Sequence, residues 1–137
     1  MVVNTPCIGV CSTVYGDAVC RGCKRLYHEV IAWNAYLDPE KQLIYQRLST
    51  QIAQVLAKYL DITNEALLRA KVIQLQIIIR PDASLPEQAF HILRLGATKI
   101  KQTHLYGISV HPTFSHWPLT QLFNQIDLEV YQLACLQ

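Results

Sequence analysis

Nothing in this chain suggests a membrane span. Its longest apolar runs, Val30 to Trp33 and Leu133 to Leu136, are four residues each, against the ~18 consecutive apolar residues that a spanning helix needs. The opening Met1-Val-Val-Asn-Thr-Pro has neither a basic start nor an apolar stretch, so no secretory signal is expected, and the expected setting is cytoplasmic and reducing. Charge of one sign is also scarce: 12 basic against 10 acidic residues leave a net +2, too little to argue for nucleic acid by itself. No Gly-rich phosphate loop, Ser/His/Asp set or pair of carboxylates stands out, so the sequence offers no catalytic constellation.

What remains is a foldable chain with one unusual feature. At 51% apolar and 16% charged residues it is not a disordered segment, and its length suffices to bury roughly two thirds of the surface of the unfolded chain. The feature is cysteine. Four of the five, Cys7, Cys11, Cys20 and Cys23, fall within 17 residues, and the fifth, Cys135, stands near the other end. In a reducing setting clustered cysteines are read as metal ligands or redox groups before disulfides.

The C-x3-C-x8-C-x2-C spacing supplies two short chelating turns separated by a loop that contains Gly16-Asp17. Four soft ligands converging on one point make a closed metal site. Gly22, between Cys20 and Cys23, and Gly9, between Cys7 and Cys11, are expected to take a positive φ and turn backbone N–H groups toward sulfur. Arg21, Lys24 and Arg25 follow directly and would offset the charge of the thiolates; the alternative is that they form an ordinary solvated basic face. Residues 1–25 hold few apolar side chains, among them Val2, Val3, Ile8, Val10 and Val14. Burial alone cannot offset an ordering cost of roughly 1–2 kcal/mol per residue, whereas a structural zinc site contributes on the order of 10–16 kcal/mol. Spacing leaves three options open: zinc, an iron–sulfur cluster, or a dithiol pair at Cys20 and Cys23.

After the cysteines the pattern turns helical. Leu26, Val30 and Trp33 lie at helical spacing, and Asp38-Pro39-Glu40 marks a second start, with Asp38 expected to cap. The stripe Leu43, Ile44, Leu48, Ile52, Val55, Leu56, Tyr59, Leu60 predicts a helix over 38–60, paired with the first around Trp33. Val72 to Ile79 alternates, which predicts a half-buried strand with Ile73, Leu75, Ile77 and Ile79 on one face. Ser84-Leu-Pro-Glu87 has the form of a capping box opening a helix that Gly96 ends. A second strand is expected over 99–110 and a last helix from Leu119 to Leu133. The expected fold is α+β: a cysteine-rich metal-binding module with two helices over 1–62, then a small strand–helix–strand–helix extension over 63–137.

The residues Thr5-Pro-Cys-Ile-Gly-Val-Cys11, Cys20-Arg-Gly-Cys-Lys-Arg25, Glu29 and Trp33 together resemble a bacterial family of unknown function. Its members open on a PCIGVC…CxGCxR…W pattern and are commonly labelled predicted iron–sulfur proteins. The likeness runs from residue 5 to about residue 48; Lys24-Arg25-Leu26 departs from its usual Gly-Arg-Thr without loss of a ligand. The resemblance implies one metal centre at the four cysteines, zinc or an iron–sulfur cluster, and no particular reaction.

Other residue types point less far. His111 and His116 are read as loop residues, His28 as a helix-surface histidine, and Cys135 as a buried inert thiol; His91 and His104 carry no signal. Residues 66–107 hold six basic and two acidic side chains. Arg69, Lys71, Arg80, Arg94, Lys99 and Lys101 could therefore contact nucleic acid beside Tyr106, or be solvated charges. The leading expectation is a non-catalytic metal-binding module that recognises a protein partner or a second copy of itself. Electron transfer or redox sensing through an iron–sulfur cluster, and nucleic-acid binding through the basic segment, are the alternatives.

Overall fold

The computed structural model describes residues 5–9 and 11–136. Val2, Val3 and Val10, counted above among the apolar side chains of the first 25 residues, lie outside the described residues.

The fold is α+β. A 3₁₀ turn at Ser12–Tyr15 leads into a tight hairpin in which Val19 bridges Leu26. Helix α1 (Tyr27–Ala32) and a 3₁₀ turn (Trp33–Ala35) connect to the long helix α2 (Asp38–Leu56). Strand β1 (Leu60–Ile62), helices α3 (Glu65–Gln74) and α4 (Leu85–Gly96), strand β2 (Ile108–Val110) and helix α5 (Leu119–Cys135) follow. β1 and β2 pair antiparallel, with Leu60 opposite Val110 and Ile62 opposite Ile108. A two-stranded sheet is marginal alone, and here the helices cover it: Leu60 and Ile108 are buried in one apolar cluster with Val55 and Leu56 of α2, Leu68 of α3, Ile92 and Leu93 of α4, and Leu122, Ile126 and Val130 of α5.

Trp33, in the turn after α1, packs against α2. It packs with Ile44, Tyr45 and Leu48 of α2, its ring edge-on to Tyr45 at 5.6 Å between centroids. The start of α2 differs in detail. Leu37, not Asp38, is the capping position, and Glu40 Oε1 accepts from the Leu37 N–H at 2.9 Å. The helix also stops at Leu56 rather than 60, because Leu60 leaves the helical path to pair in β1.

The expected strand over 72–79 is corrected: its first three residues complete helix α3. Asn64 caps that helix, its side chain accepting from the Leu67 N–H at 3.0 Å, and Leu68 and Val72 bury one turn apart. The helix begun there runs on into the alternating stretch and leaves Ile73 and Leu75 exposed. It ends where Gln76 takes a left-handed conformation, φ 54, and the Ile77 N–H reaches back to the Val72 carbonyl at 3.1 Å. A glycine usually serves there. The strand over 99–110 contracts to 108–110, preceded by a 3₁₀ turn at Thr103–Tyr106. Helix α4 opens as the sequence indicates, with Ser84 Oγ accepting from the Glu87 N–H and Glu87 Oε1 from the Ser84 N–H, both at 3.3 Å.

Candidate metal centre

Cys20 and Cys23 occupy the tip of the Val19–Leu26 hairpin. The Cys20 N–H donates to the Arg25 carbonyl at 2.9 Å and the Lys24 N–H to the Cys20 carbonyl at 2.8 Å, which closes the turn around the two sulfurs. The positive φ that allows this belongs to Lys24, at 66, and not to Gly22 as the sequence suggested. Burial alone would raise the Cys20 thiol. Backbone N–H groups of Cys23, Ser12 and Gly22, together with the Cys23 side chain, outweigh that and bring it down to about 7. Cys23 goes the other way: burial lifts its thiol, against a hydrogen bond from Arg25 Nε at 3.2 Å.

The first pair is arranged more loosely. Gly9 does have the positive φ expected of it, 90, and its N–H donates to Cys7 Sγ at 3.3 Å. Cys11 Sγ lies 3.1 Å from the hydroxyl of the buried Thr13. Ser12 ties this segment to the second pair, because its Oγ accepts from the Arg21 N–H at 2.8 Å while its own N–H serves Cys20. Cys7 and Cys23 line the same cleft. Among the described residues, however, no three His, Cys, Asp or Glu side chains are arranged to hold a metal ion, and no cysteine is in a disulfide. The structure thus brings Cys20 and Cys23 together and does not assemble all four sulfurs. The donor chemistry still suits a thiophilic metal, with N–H groups aimed at sulfur in both pairs.

The three basic residues are not one solvated face. Arg21 is exposed and paired with Asp17 at 3.3 Å. Lys24 is 4% exposed; its Nζ donates to the carbonyls of Arg21, at 2.7 Å, and Gly22, at 3.0 Å, and pairs with Asp127 of α5. Arg25, equally buried, lies against Cys23 and over the Trp33 ring at 4.9 Å. Beneath the hairpin, Glu29 is held by both terminal nitrogens of Arg47, at 2.5 and 2.6 Å, and also accepts the Leu26 N–H at 2.8 Å. This ties the hairpin end to α1 and α2.

The remaining sites separate. Cys135 is exposed, a correction to the buried thiol expected: α5 buries Leu122, Ile126, Val130 and Ala134 at four-residue steps, and Cys135 falls one position off that stripe. His28 and His116 are exposed. His111 caps a 3₁₀ turn, with Nε2 at 3.2 Å from Asp61. Of the six basic residues proposed for nucleic acid, Arg69, Lys99 and Lys101 are exposed and Lys71 lies over Tyr106 at 5.0 Å. Arg80 and Arg94 instead line the cleft that Cys7 and Cys23 also border. Sequence reasoning missed that cleft and His91 within it. Its walls come from segments far apart in the chain, so no local spacing signals it.

Residues 5–52 match a protein family described as "Protein of unknown function (DUF1289)". The matched stretch holds all four clustered cysteines, Trp33 and the Glu29–Arg47 pair; residues beyond 52 lie outside it. No curated protein and no solved structure matches the chain. Among the described residues no helix is long and apolar enough to cross a membrane.

Proposed function

We propose that this is a non-catalytic metal-binding protein in which Cys7, Cys11, Cys20 and Cys23 hold one metal centre, zinc or an iron–sulfur cluster. The observation that carries the reading is the Cys20–Cys23 turn, where three backbone N–H groups converge on one sulfur. Such donors favour the thiolate, the form that ligates metal. The Gly9 N–H on Cys7 Sγ repeats the device in the first pair. Arg25 against Cys23, and the buried Lys24 close by, supply positive charge to offset the sulfurs. Zinc would supply a structural cross-link and an iron–sulfur cluster a site for one electron; four protein sulfurs complete the coordination and leave no position for substrate.

The centre's role in this reading is to fix a surface for a protein partner or a second copy. The same part of the chain leaves large apolar side chains in water, Tyr15 at 90%, Leu37 at 69% and Ile31 at 64% exposure, and exposed apolar surface is where partners dock.

The test is metal analysis with an optical spectrum on protein purified without oxygen, native and as Cys20→Ser, Cys23→Ser and Cys135→Ser. One metal centre per chain is expected, colourless for zinc or visibly coloured for a cluster. The first two variants should lose it and Cys135→Ser should keep it. Native protein without metal, or Cys20→Ser with its metal intact, overturns the assignment.

A further inference from the structure

One cleft has a volume of about 590 Å³ and lies between the cysteine turns, α2, α4 and the segment after α3. That is the size of a small-molecule site. Its walls are mainly apolar, with Leu48 and Ile52 of α2, Phe90 of α4 and Val130 of α5 among them. Four basic side chains also border it: Lys24, Arg80, His91 and Arg94.

Two of these are already neutralised. Arg80 is held by Glu87, at 3.0 and 3.2 Å, and by Asp82 at 3.3 Å; Lys24 is paired with Asp127. Arg94 differs. Its Nε donates to His91 Nδ1 at 3.0 Å, and among the described residues no carboxylate lies at ion-pair distance from it; Asp127, paired with Lys24, acts on it only from farther off. A guanidinium is charged at any ordinary pH, and Arg94 is only partly buried, so its charge is available to an anion entering the cleft. His91 adds no charge near neutrality, because burial and then the charges of Arg94, Lys24 and Arg80 push it down to about 4. With Nδ1 accepting from Arg94, the ring proton resides on Nε2, which remains a donor.

We propose that this cleft binds a small amphipathic molecule with an apolar chain and one carboxylate, the carboxylate taken by Arg94 beside His91 and the chain by Leu48, Ile52, Phe90 and Val130. A single cation with no carboxylate at ion-pair distance matches a singly charged head group better than a doubly charged phosphate. Flexible chains suit walls of this mixed aliphatic and aromatic kind. The proposal goes beyond the metal reading: Cys7 and Cys23 border the same cleft, but the head-group residues are on α4, and loss of metal in the cysteine variants tests a different set of atoms from the decanoate titration.

The experiment is calorimetric titration of the full chain with decanoate and with decanol, accompanied by methyl NMR of the unsubstituted protein. Decanoate is expected to bind one per chain, at least tenfold more tightly than decanol. Arg94→Gln should weaken decanoate at least tenfold and leave decanol within twofold, while Lys99→Gln, at an exposed position, should change neither. Decanoate should shift the methyl signals of Leu48, Ile52 and Val130 and spare those of the exposed Ile31 and Leu37. Equal affinity for the acid and the alcohol, or shifts confined to Ile31 and Leu37, overturns the proposal. Because the methyl map uses unsubstituted protein, it decides the site even if Arg94→Gln fails to fold.

Discussion

Gly107 carries more of the fold than its lack of a side chain suggests. It has φ 75, its carbonyl accepts the Thr63 N–H at 2.8 Å, and a Cβ built on it would lie 2.3 Å from the Asn64 carbonyl oxygen. The turn after β1 and the start of β2 therefore meet backbone to backbone, with no room for a methyl group. Gly107→Ala combines a left-handed backbone with overlap on rigid atoms and should cost roughly 2–4 kcal/mol. Gly96→Ala is the matched control: there the nearest atom is the flexible Ile100 Cδ1 at 3.0 Å, so the urea midpoint should move little. If the two variants shift the midpoint equally, the backbone approach at Gly107 is not what fixes this corner. Residue types singled out the four clustered cysteines, of which the structure brings Cys20 and Cys23 together. They could not reveal that Lys24 rather than Gly22 takes the left-handed turn, since a lysine there looks like any surface charge until Asp127 of α5 is brought to it.

The start of α4 was legible because its cap is written as a complete side-chain box, whereas the lone Asn64 cap of α3 was not read and the α2 cap fell one residue before Asp38. Ser84 and Glu87 announce α4 within four residues, and both hydrogen bonds of the box form. The end of α3 was not legible, because its stop signal is a glutamine in a conformation that glycine prefers, and the alternation of Val72 to Ile79 imitates a strand. Propagating a helix already capped at Asn64 adds a hydrogen bond for each residue fixed, while a strand at 72–79 would need a partner from a distant segment. Because Gln76 holds φ 54 at an exposed site, Gln76→Gly should stabilise the protein by roughly 0.5–1 kcal/mol. Ala70→Gly, at an exposed position inside the helix, should destabilise it by about 1 kcal/mol. Opposite shifts of the two denaturation midpoints are the expected result; a loss of stability in both would mean that the left-handed turn is not strained by its side chain.

The cysteine turns, α2, α4 and α5 are linked by groups that also shape the cleft. Lys24 ties the hairpin to Asp127 of α5 and Arg80 clamps Glu87 of α4, so the positive charges around His91 are fixed by the tertiary fold. In the unfolded chain His91 returns to the ordinary value of 6.5, whereas in the folded protein burial and these cations lower it to about 4. Between those values the unfolded chain binds the extra proton, so stability must fall as pH drops through this window. Above pH 6.5 the contribution of His91 is complete, and below pH 4 no further loss comes from it. The change between pH 7 and pH 4 should be roughly 2–3 kcal/mol. Glu29 adds a loss of its own at the acid end, since, against the burial that would raise it, Arg47 and the Leu26 N–H hold its carboxyl below the usual value. His91→Gln isolates the histidine: the variant's urea-derived stability should be flat from pH 7 to pH 5, where the native protein is already declining, and should fall only as Glu29 titrates. If native and variant decline in parallel over that range, His91 is not held neutral by the cations around the cleft, and the electrostatic description of that wall is wrong.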